Sequence, residues 1–360
     1  MRFRAVDTFR GMAAILVIFF HLQHLSILKG NDFVAKSDIF VDFFFVLSGF
    51  VMTHSNYAKI TDISSIRPFA IKRFKRLYPL HLFTLILVLL FELFRFGVDR
   101  YVVRLSNPVF GPDKSFVSLL ANLTLTQSLN LFDSTTWNGP SWSISVEFYT
   151  YLLWALCLVV FRKNLWVMCT LCFGLIAWFI VQHQGNIIYN YDYGFIRCFY
   201  SFLLGMLTYR LSRRWQSAGV PWLFSIAEML LLGITLVAVS RFQHAESWMM
   251  PFLFALMILV FSQEKGRISG ILASDRLEFL GKLSYSYYLN HMVVLNVLDL
   301  VIFRVIKVPA TPLGEWSYVL LCLIGVHLLS LFTYRYVELI LQTTPPSRVP
   351  RSIPQPSSAG

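Results

Sequence analysis

DTFRGMAAILVIFFHLQH, residues 7–24, decides how this chain is read. The run is apolar enough to cross a membrane, yet it carries Arg10 near its start and His21 deep inside. Eleven residues separate the two, about three turns of helix, so both side chains fall on nearly the same face, roughly 16 Å apart along the axis. An ionisable group at that depth costs several kcal/mol unless it faces protein or water, and so marks a functional site by default. The plainer alternative is a core histidine hydrogen-bonded to a neighbouring helix.

The rest of the composition agrees with a membrane setting. Of 360 residues, 56% are hydrophobic and only 14% charged, against about 25% charged in an ordinary soluble domain. Mean hydropathy is +0.62. The first run does not read as a cleaved signal, because an arginine and a histidine interrupt it and no small-residue cleavage pattern follows. Apolar stretches of about 20 residues recur from end to end. They predict an all-α polytopic membrane protein with ten spans, at 8–28, 38–57, 77–97, 141–161, 165–183, 193–211, 221–240, 247–263, 281–303 and 315–338. With the N-terminus inside, the cytoplasmic segments hold 21 of the 31 Lys and Arg residues, the opposite side holds nine, and Arg197 falls within a span. This asymmetry predicts an N-in, C-in topology. The net charge of +12 is then a topological signal and calls for no nucleic acid. Residues 1–340 read as one membrane domain with no repeat or appended soluble domain. The Pro- and Ser-rich residues 341–360 read as a disordered cytoplasmic tail. The five cysteines lie in apolar stretches. Cys169 and Cys172 form a CxxC without a second ligand pair, which reads as helix packing and predicts no metal site.

Several spans carry polar groups beyond what spanning needs. DIFVDFFFVLSGFVM, residues 38–52, places Asp42 near the outer end of span two and Ser48-Gly49 at mid-membrane, where small residues let backbones approach. RPFAIKRFKRLYPLH, residues 67–81, gathers Lys72, Arg73, Lys75 and Arg76 before span three, with His81 one turn inside. Such a cluster satisfies the positive-inside rule. It also suits a polyanionic cytosolic ligand, whose phosphates Lys72, Arg73 and Arg76 would hold. Residues 98–140 form the longest external segment, and SFVSLLANLTLTQSLNLF within it predicts an interfacial or re-entrant helix. In WSISVEFY, residues 142–149, Glu147 needs a partner, with Arg197 or His21 as candidates. In LGKLSYSYYLNH, residues 280–291, Ser284, Tyr288 and His291 form one polar stripe, with His291 at about the depth of His21. Two imidazoles and a carboxylate suit acid–base chemistry, with His21, Arg10, Glu147 and His291 as candidate catalytic residues.

Taken in order, Arg10-x10-His21, FFFVLSGF, KRFKRLYPLH, WSISVEFY and LGKLSYSYYLNH resemble the acyltransferase-3 family of bacterial inner-membrane O-acyltransferases, over residues 1 to about 340. The resemblance implies transfer of an acyl group, usually acetyl from cytosolic acetyl-CoA, to a hydroxyl of an exported glycan such as exopolysaccharide, O-antigen, peptidoglycan or periplasmic glucan. It implies that Arg10 and His21 are the family's essential pair and that Arg73 and Arg76 meet the coenzyme. Expected partners are acyl-CoA, a glycan or lipid-linked oligosaccharide acceptor, membrane lipid, and polysaccharide biosynthesis or export proteins. Some relatives add an external hydrolase-like domain; without one, transfer falls to the membrane domain or to a separate protein. Two rival readings from other classes are a proton-coupled transporter or flippase using the buried His and Glu, and a receptor or scaffold without chemistry.

Overall fold

A computed structural model describes residues 3–215, 220–308 and 311–339. The tail expected at 341–360 lies outside the described residues. Among those that are described there is no strand, and ten long helices form a bundle. They are α1 (Arg4–His21), α2 (Phe40–Asn56), α3 (Ile63–Tyr101), α4 (Trp142–Val160), α5 (Leu165–Gln182), α6 (Gly194–Arg214), α7 (Pro221–Arg241), α8 (Met250–Phe261), α9 (Asp275–Asp299) and α10 (Pro312–Thr333). Eight of the helical segments are long and apolar enough to cross a membrane, those containing α2 to α5 and α7 to α10. The chain is thus a multi-pass membrane protein. The remaining two, α1 and α6, are of similar length but carry Arg4, Asp7 and Arg10, and Arg197, Arg210, Arg213 and Arg214.

Those two charged helices lie at the centre of the bundle. Helix α1 packs along α9, and α6 along α2; these are the two most extensive helix pairs. Each rests on a pair of glycines. A Cβ on Gly49 would fall 1.9 Å from the Phe202 carbonyl oxygen, and one on Gly205 1.8 Å from that of Val46. In the other pair, Gly11 faces the Leu280 backbone at 2.6 Å and Gly281 faces the Asp7 oxygen at 2.1 Å. Close backbone approach through small residues is the usual packing device where lipid supplies no hydrophobic drive between helices. At the periphery, α5 turns Trp166, Leu171, Leu175, Trp178 and Val181 outward, and α7 does so with Trp222, Met229, Leu230 and Val237. Polar groups go inward instead: Asp42, Arg197, Asn290, His291 and Glu338 are all buried.

Helix α3 departs from the expected boundary. It runs for 39 residues and begins 14 residues before the predicted span, so Lys72–Arg76 belong to a helix and not to a loop. A capping box starts it early: the Asp62 carboxylate accepts the Ser65 amide at 3.0 Å, and the Ser65 hydroxyl accepts the Asp62 amide. Hydrogen bonds from the Ser64 and Thr61 hydroxyls, with that amide, hold the Asp62 carboxyl below its ordinary pKa. The segment after α3, expected to be interfacial or re-entrant, folds back along that helix. The Phe110 amide meets Glu92, a helix at Phe116–Leu123 follows, and the Asn122 and Leu123 carbonyls accept from His81 and Tyr78. Residue 81 lies 20 residues before the end of α3, so the segment descends roughly 30 Å along it at 1.5 Å per residue. The chain then returns through Asn138, whose amide donates to Thr84 and to the Leu289 carbonyl. Asn122, in the Asn-Leu-Thr triplet, is fully buried and bonded to Thr136.

Candidate active site

Two cavities lie end to end between α1, α2, α4 and α9. The first, of about 270 Å³, is lined by Arg10, Ser48, Arg73, Arg76, Glu147 and Tyr151 together with apolar side chains of α2. The second, of about 200 Å³, is lined by His21, Asp38, Asn190, Arg197 and Met292 among others. Val41 and Tyr288 line both and so form the wall between them. Every shared helix changes cavity at the same level. Along α1 the first cavity meets Arg10 and the second meets Val17 and His21; along α9 the first meets Ser284 and the second Met292, with Tyr288 between.

In the first cavity Arg10 is held by α9. Its Nε donates to the Ser284 hydroxyl at 2.8 Å and its Nη2 to the Gly281 carbonyl at 2.7 Å, while Asp7 lies 3.7 Å away. The missing side chain of Gly281 lets the Asp7 backbone of α1 lie against α9 beside that carbonyl. Arg76 is ion-paired with Glu338 at 2.5 Å, and its guanidinium lies 5.3 Å from the Tyr285 ring. Glu338 also accepts from the Ser286 hydroxyl. It sits in a π-helical turn, Tyr334–Glu338, that continues α10. Arg73 lies over the Phe69 ring at 5.8 Å, and its buried Nε has no hydrogen-bond partner among the described residues. Lys72 is exposed and does not line the cavity, so the structure separates it from the two arginines with which the sequence grouped it. One residue along a helix turns the side chain by about 100°, enough to carry it to the outer face of α3.

Glu147 needs a second correction. Neither Arg197 nor His21 is its partner: the carboxylate accepts the Tyr151 hydroxyl at 2.6 Å, and that hydroxyl also lies 2.7 Å from Ser48. It faces the cavity of Arg10, Arg73 and Arg76, not the one lined by His21. Arg197 is taken by Asp42, with Nη2 to Oδ2 at 2.7 Å and Nε to both carboxylate oxygens at 3.0 and 3.2 Å. Ser201 donates to the same carboxylate, and Trp142 covers the guanidinium at 5.4 Å.

At the second cavity His21 ends α1, half-buried. Its ring lies 5.0 Å from that of His291, which is fully buried. The similar depths expected for the two histidines thus become a direct pairing. His291 Nδ1 donates to the Tyr287 carbonyl at 3.3 Å, which leaves Nε2 as the acceptor, and Nε2 has no partner among the described residues. The polar stripe of α9 is realised as drawn: Ser284 holds Arg10, Tyr288 stands in the wall, and His291 meets His21. Sequence reasoning missed Glu338, Tyr151 and Tyr285. For Glu338 the signal was available, an acid near the end of an apolar span. Among the described residues no cluster of His, Cys, Asp or Glu could hold a metal ion.

This arrangement coincides with what the chain is related to. The acyltransferase-3 family, described as an acyltransferase domain, matches residues 3–335, and the chain belongs to that family. It is an acyltransferase. The acyltransferase MdmB of Streptomyces mycarofaciens is 28% identical over 284 residues, covering 72% of this chain and 68% of that protein. The peptidoglycan O-acetyltransferase OatA of Listeria monocytogenes is 30% identical over 165 residues, which are 44% of this chain but 24% of OatA. Protein 2 in the picA locus of Rhizobium radiobacter is 29% identical over 164 residues, 43% of this chain and 81% of that protein. No solved structure matches the chain.

Proposed function

We propose that the protein is a bacterial inner-membrane O-acyltransferase, with N-in, C-in topology and ten spans, that moves an acetyl group from cytosolic acetyl-CoA to a hydroxyl of an exported glycan. The observation that carries this reading is the pair of cavities set end to end, one lined by arginines and one by histidine. A transferase working across a membrane needs a donor site and an acceptor site facing opposite ways and meeting at one point. The charge asymmetry supports a cytoplasmic position for the Arg10 end. The first cavity, about 270 Å³, is small beside the 300–1,000 Å³ of ordinary ligand pockets, so it suits the thioester end of the coenzyme and not the whole molecule. Arg73 and Arg76 would meet the phosphates at its mouth, with the exposed Lys72 contributing from outside. Arg10 would orient the thioester.

In the reaction, the acceptor oxygen attacks the thioester carbonyl carbon, the carbon–sulfur bond breaks, and the coenzyme thiolate leaves. His21, as the neutral imidazole, would take the hydroxyl proton, a contribution typically worth 10²–10⁴-fold. The proton then returns to the thiolate. His291, with its acceptor nitrogen unpartnered, supports the His21 ring, and Glu147 shapes the donor cavity and not the acceptor side. Support for a glycan acceptor comes from the relative OatA, a peptidoglycan O-acetyltransferase. Radiolabelled acetyl-CoA given to the purified protein with a panel of bacterial glycans tests the whole reading. Label should appear on a glycan as an alkali-labile ester only when an acceptor is present. Acceptor-independent hydrolysis alone would overturn it.

A further inference from the structure

A second basic pocket lies away from both cavities. It is about 470 Å³ in volume and sits where α2, α4, α5 and α6 end or begin, at the end of the bundle where α3 starts. Arg162, Lys163, Arg210 and Arg214 line it, with Tyr57 and Trp166. Two of the cations are fixed in place: Arg162 donates to the Ile60 carbonyl at 2.8 Å, and the Arg210 guanidinium lies 5.5 Å from the Tyr57 ring.

Its charge is unbalanced. No carboxylate lines it among the described residues. Cations elsewhere in the bundle have theirs: Arg4 has Asp275 and Glu278, Arg76 has Glu338, Arg95 has Glu92, and Arg197 has Asp42. The positive-inside rule explains basic residues at this end of the helices, but not four of them converging on one concavity. Like charges held together repel unless an anion joins them. The rim adds a second constraint. Trp166 is 76% exposed, and Val167 and Leu211 are exposed beside it. Trp166 and Val167 open α5, one of the apolar spanning helices.

We propose that this pocket binds the phosphodiester headgroup of an anionic phospholipid. The cations take the phosphate, Trp166 lies at the headgroup level where indole rings collect, and the acyl chains run along the outward face of α5. A soluble phosphate compound would use the cations but leave the apolar rim without a role. The site would tie α5, which is largely exposed, to the end of α6.

Native mass spectrometry of the full-length protein, with phosphatidylglycerol against phosphatidylcholine, tests this. The wild type should retain phosphatidylglycerol saturably and selectively. Arg162→Gln, Lys163→Gln and Arg214→Gln should each weaken retention about fivefold, the size expected for one cation near a lipid surface. Equal retention of the two lipids by the wild type would overturn the proposal. So would displacement of phosphatidylglycerol by inorganic phosphate or AMP, which would assign the pocket to a soluble anion, or loss of acetyl-CoA affinity in the three variants, which would assign it to the donor. Because loss of cytoplasmic cations can disturb insertion, a charge-neutral arm stands beside these. Brominated phosphatidylglycerol should quench tryptophan emission more in the wild type than in Trp166→Phe. Identical quenching would also overturn the assignment.

Discussion

Arg10 and Arg197 are placed by the same device and do different things. Each stands on a helix pressed against its neighbour through glycines, α1 on α9 and α6 on α2. Arg197 is 2% exposed and its guanidinium is saturated by Asp42, Tyr189 and Asn190. Arg10 is bonded to neutral acceptors on α9, the Gly281 carbonyl and the Ser284 hydroxyl. Its side chain keeps 31% exposure, lining the first cavity, with the Asp7 carboxylate 3.7 Å away. The Asp42 carboxylate, with the burial around it, makes Arg197 a structural group. A neutral carbonyl and hydroxyl instead hold Arg10 at the edge of a cavity, where its guanidinium lines the wall.

The comparison breaks most visibly at Arg197. Removing one member of a buried ion pair strands the other, at a cost of about 3–5 kcal/mol. Arg197→Ala should therefore lower the yield and thermal stability of the purified protein sharply, read by size-exclusion chromatography and a melting curve. Arg10→Ala should leave both nearly unchanged while abolishing transfer. A stable Arg197→Ala protein would erase the distinction.

Next in size is His21. His21→Ala should insert and fold normally, since it ends α1 only half-buried, yet lose about 10²-fold or more in transfer rate. His24→Ala, at an exposed residue that lines neither cavity, should be mild. A folded His21→Ala enzyme of near wild-type rate would move attention to His291.

Arg73 and Arg76 should divide by their partners. Arg73→Ala removes a cation that no carboxylate holds among the described residues, and donor affinity should fall about tenfold to a hundredfold, as expected for a charge-assisted hydrogen bond of about 1.5–3 kcal/mol. Arg73→Lys should rescue it only partly, because the bidentate fork is lost. Arg76→Ala should also cost stability, since it strands Glu338. Calorimetric titration with acetyl-CoA beside melting curves separates the two effects, and equal behaviour of both variants would remove the proposed division of roles.

The smallest effect is expected at the cap of α3. Hydrogen bonds depress the pKa of Asp62 in the folded state, so its contribution is present above the ordinary carboxylate pKa and fades as pH falls through the lowered value. Amide exchange at 63–67 should quicken in Asp62→Ala near neutrality. The difference from the wild type should shrink in acid. A difference independent of pH would mean that the carboxylate is not the cap.

The sequence by itself determined that this is an all-helical membrane protein, because apolar runs of spanning length are a one-dimensional signal set by bilayer thickness. It also determined the polar stripe of α9, since i, i+4 and i+7 spacing fixes a helix face without reference to any other helix. Pairings between helices were decided only by tertiary structure. Asp42, Glu147 and Arg197 were all visible as charges within spans, but the only pairing the sequence offered Arg197 was with Glu147. The glycine contacts of α2 with α6 gave it to Asp42, and Glu147 turned to Tyr151. The separation of Lys72 from Arg73 and Arg76 has the same cause. Neighbours in sequence point about 100° apart once the segment is helical, and the capping box at Asp62 makes it helical there. The two cavities and their shared wall at Val41 and Tyr288 exist only where four helices meet, and no local pattern records how far apart packed helices stand.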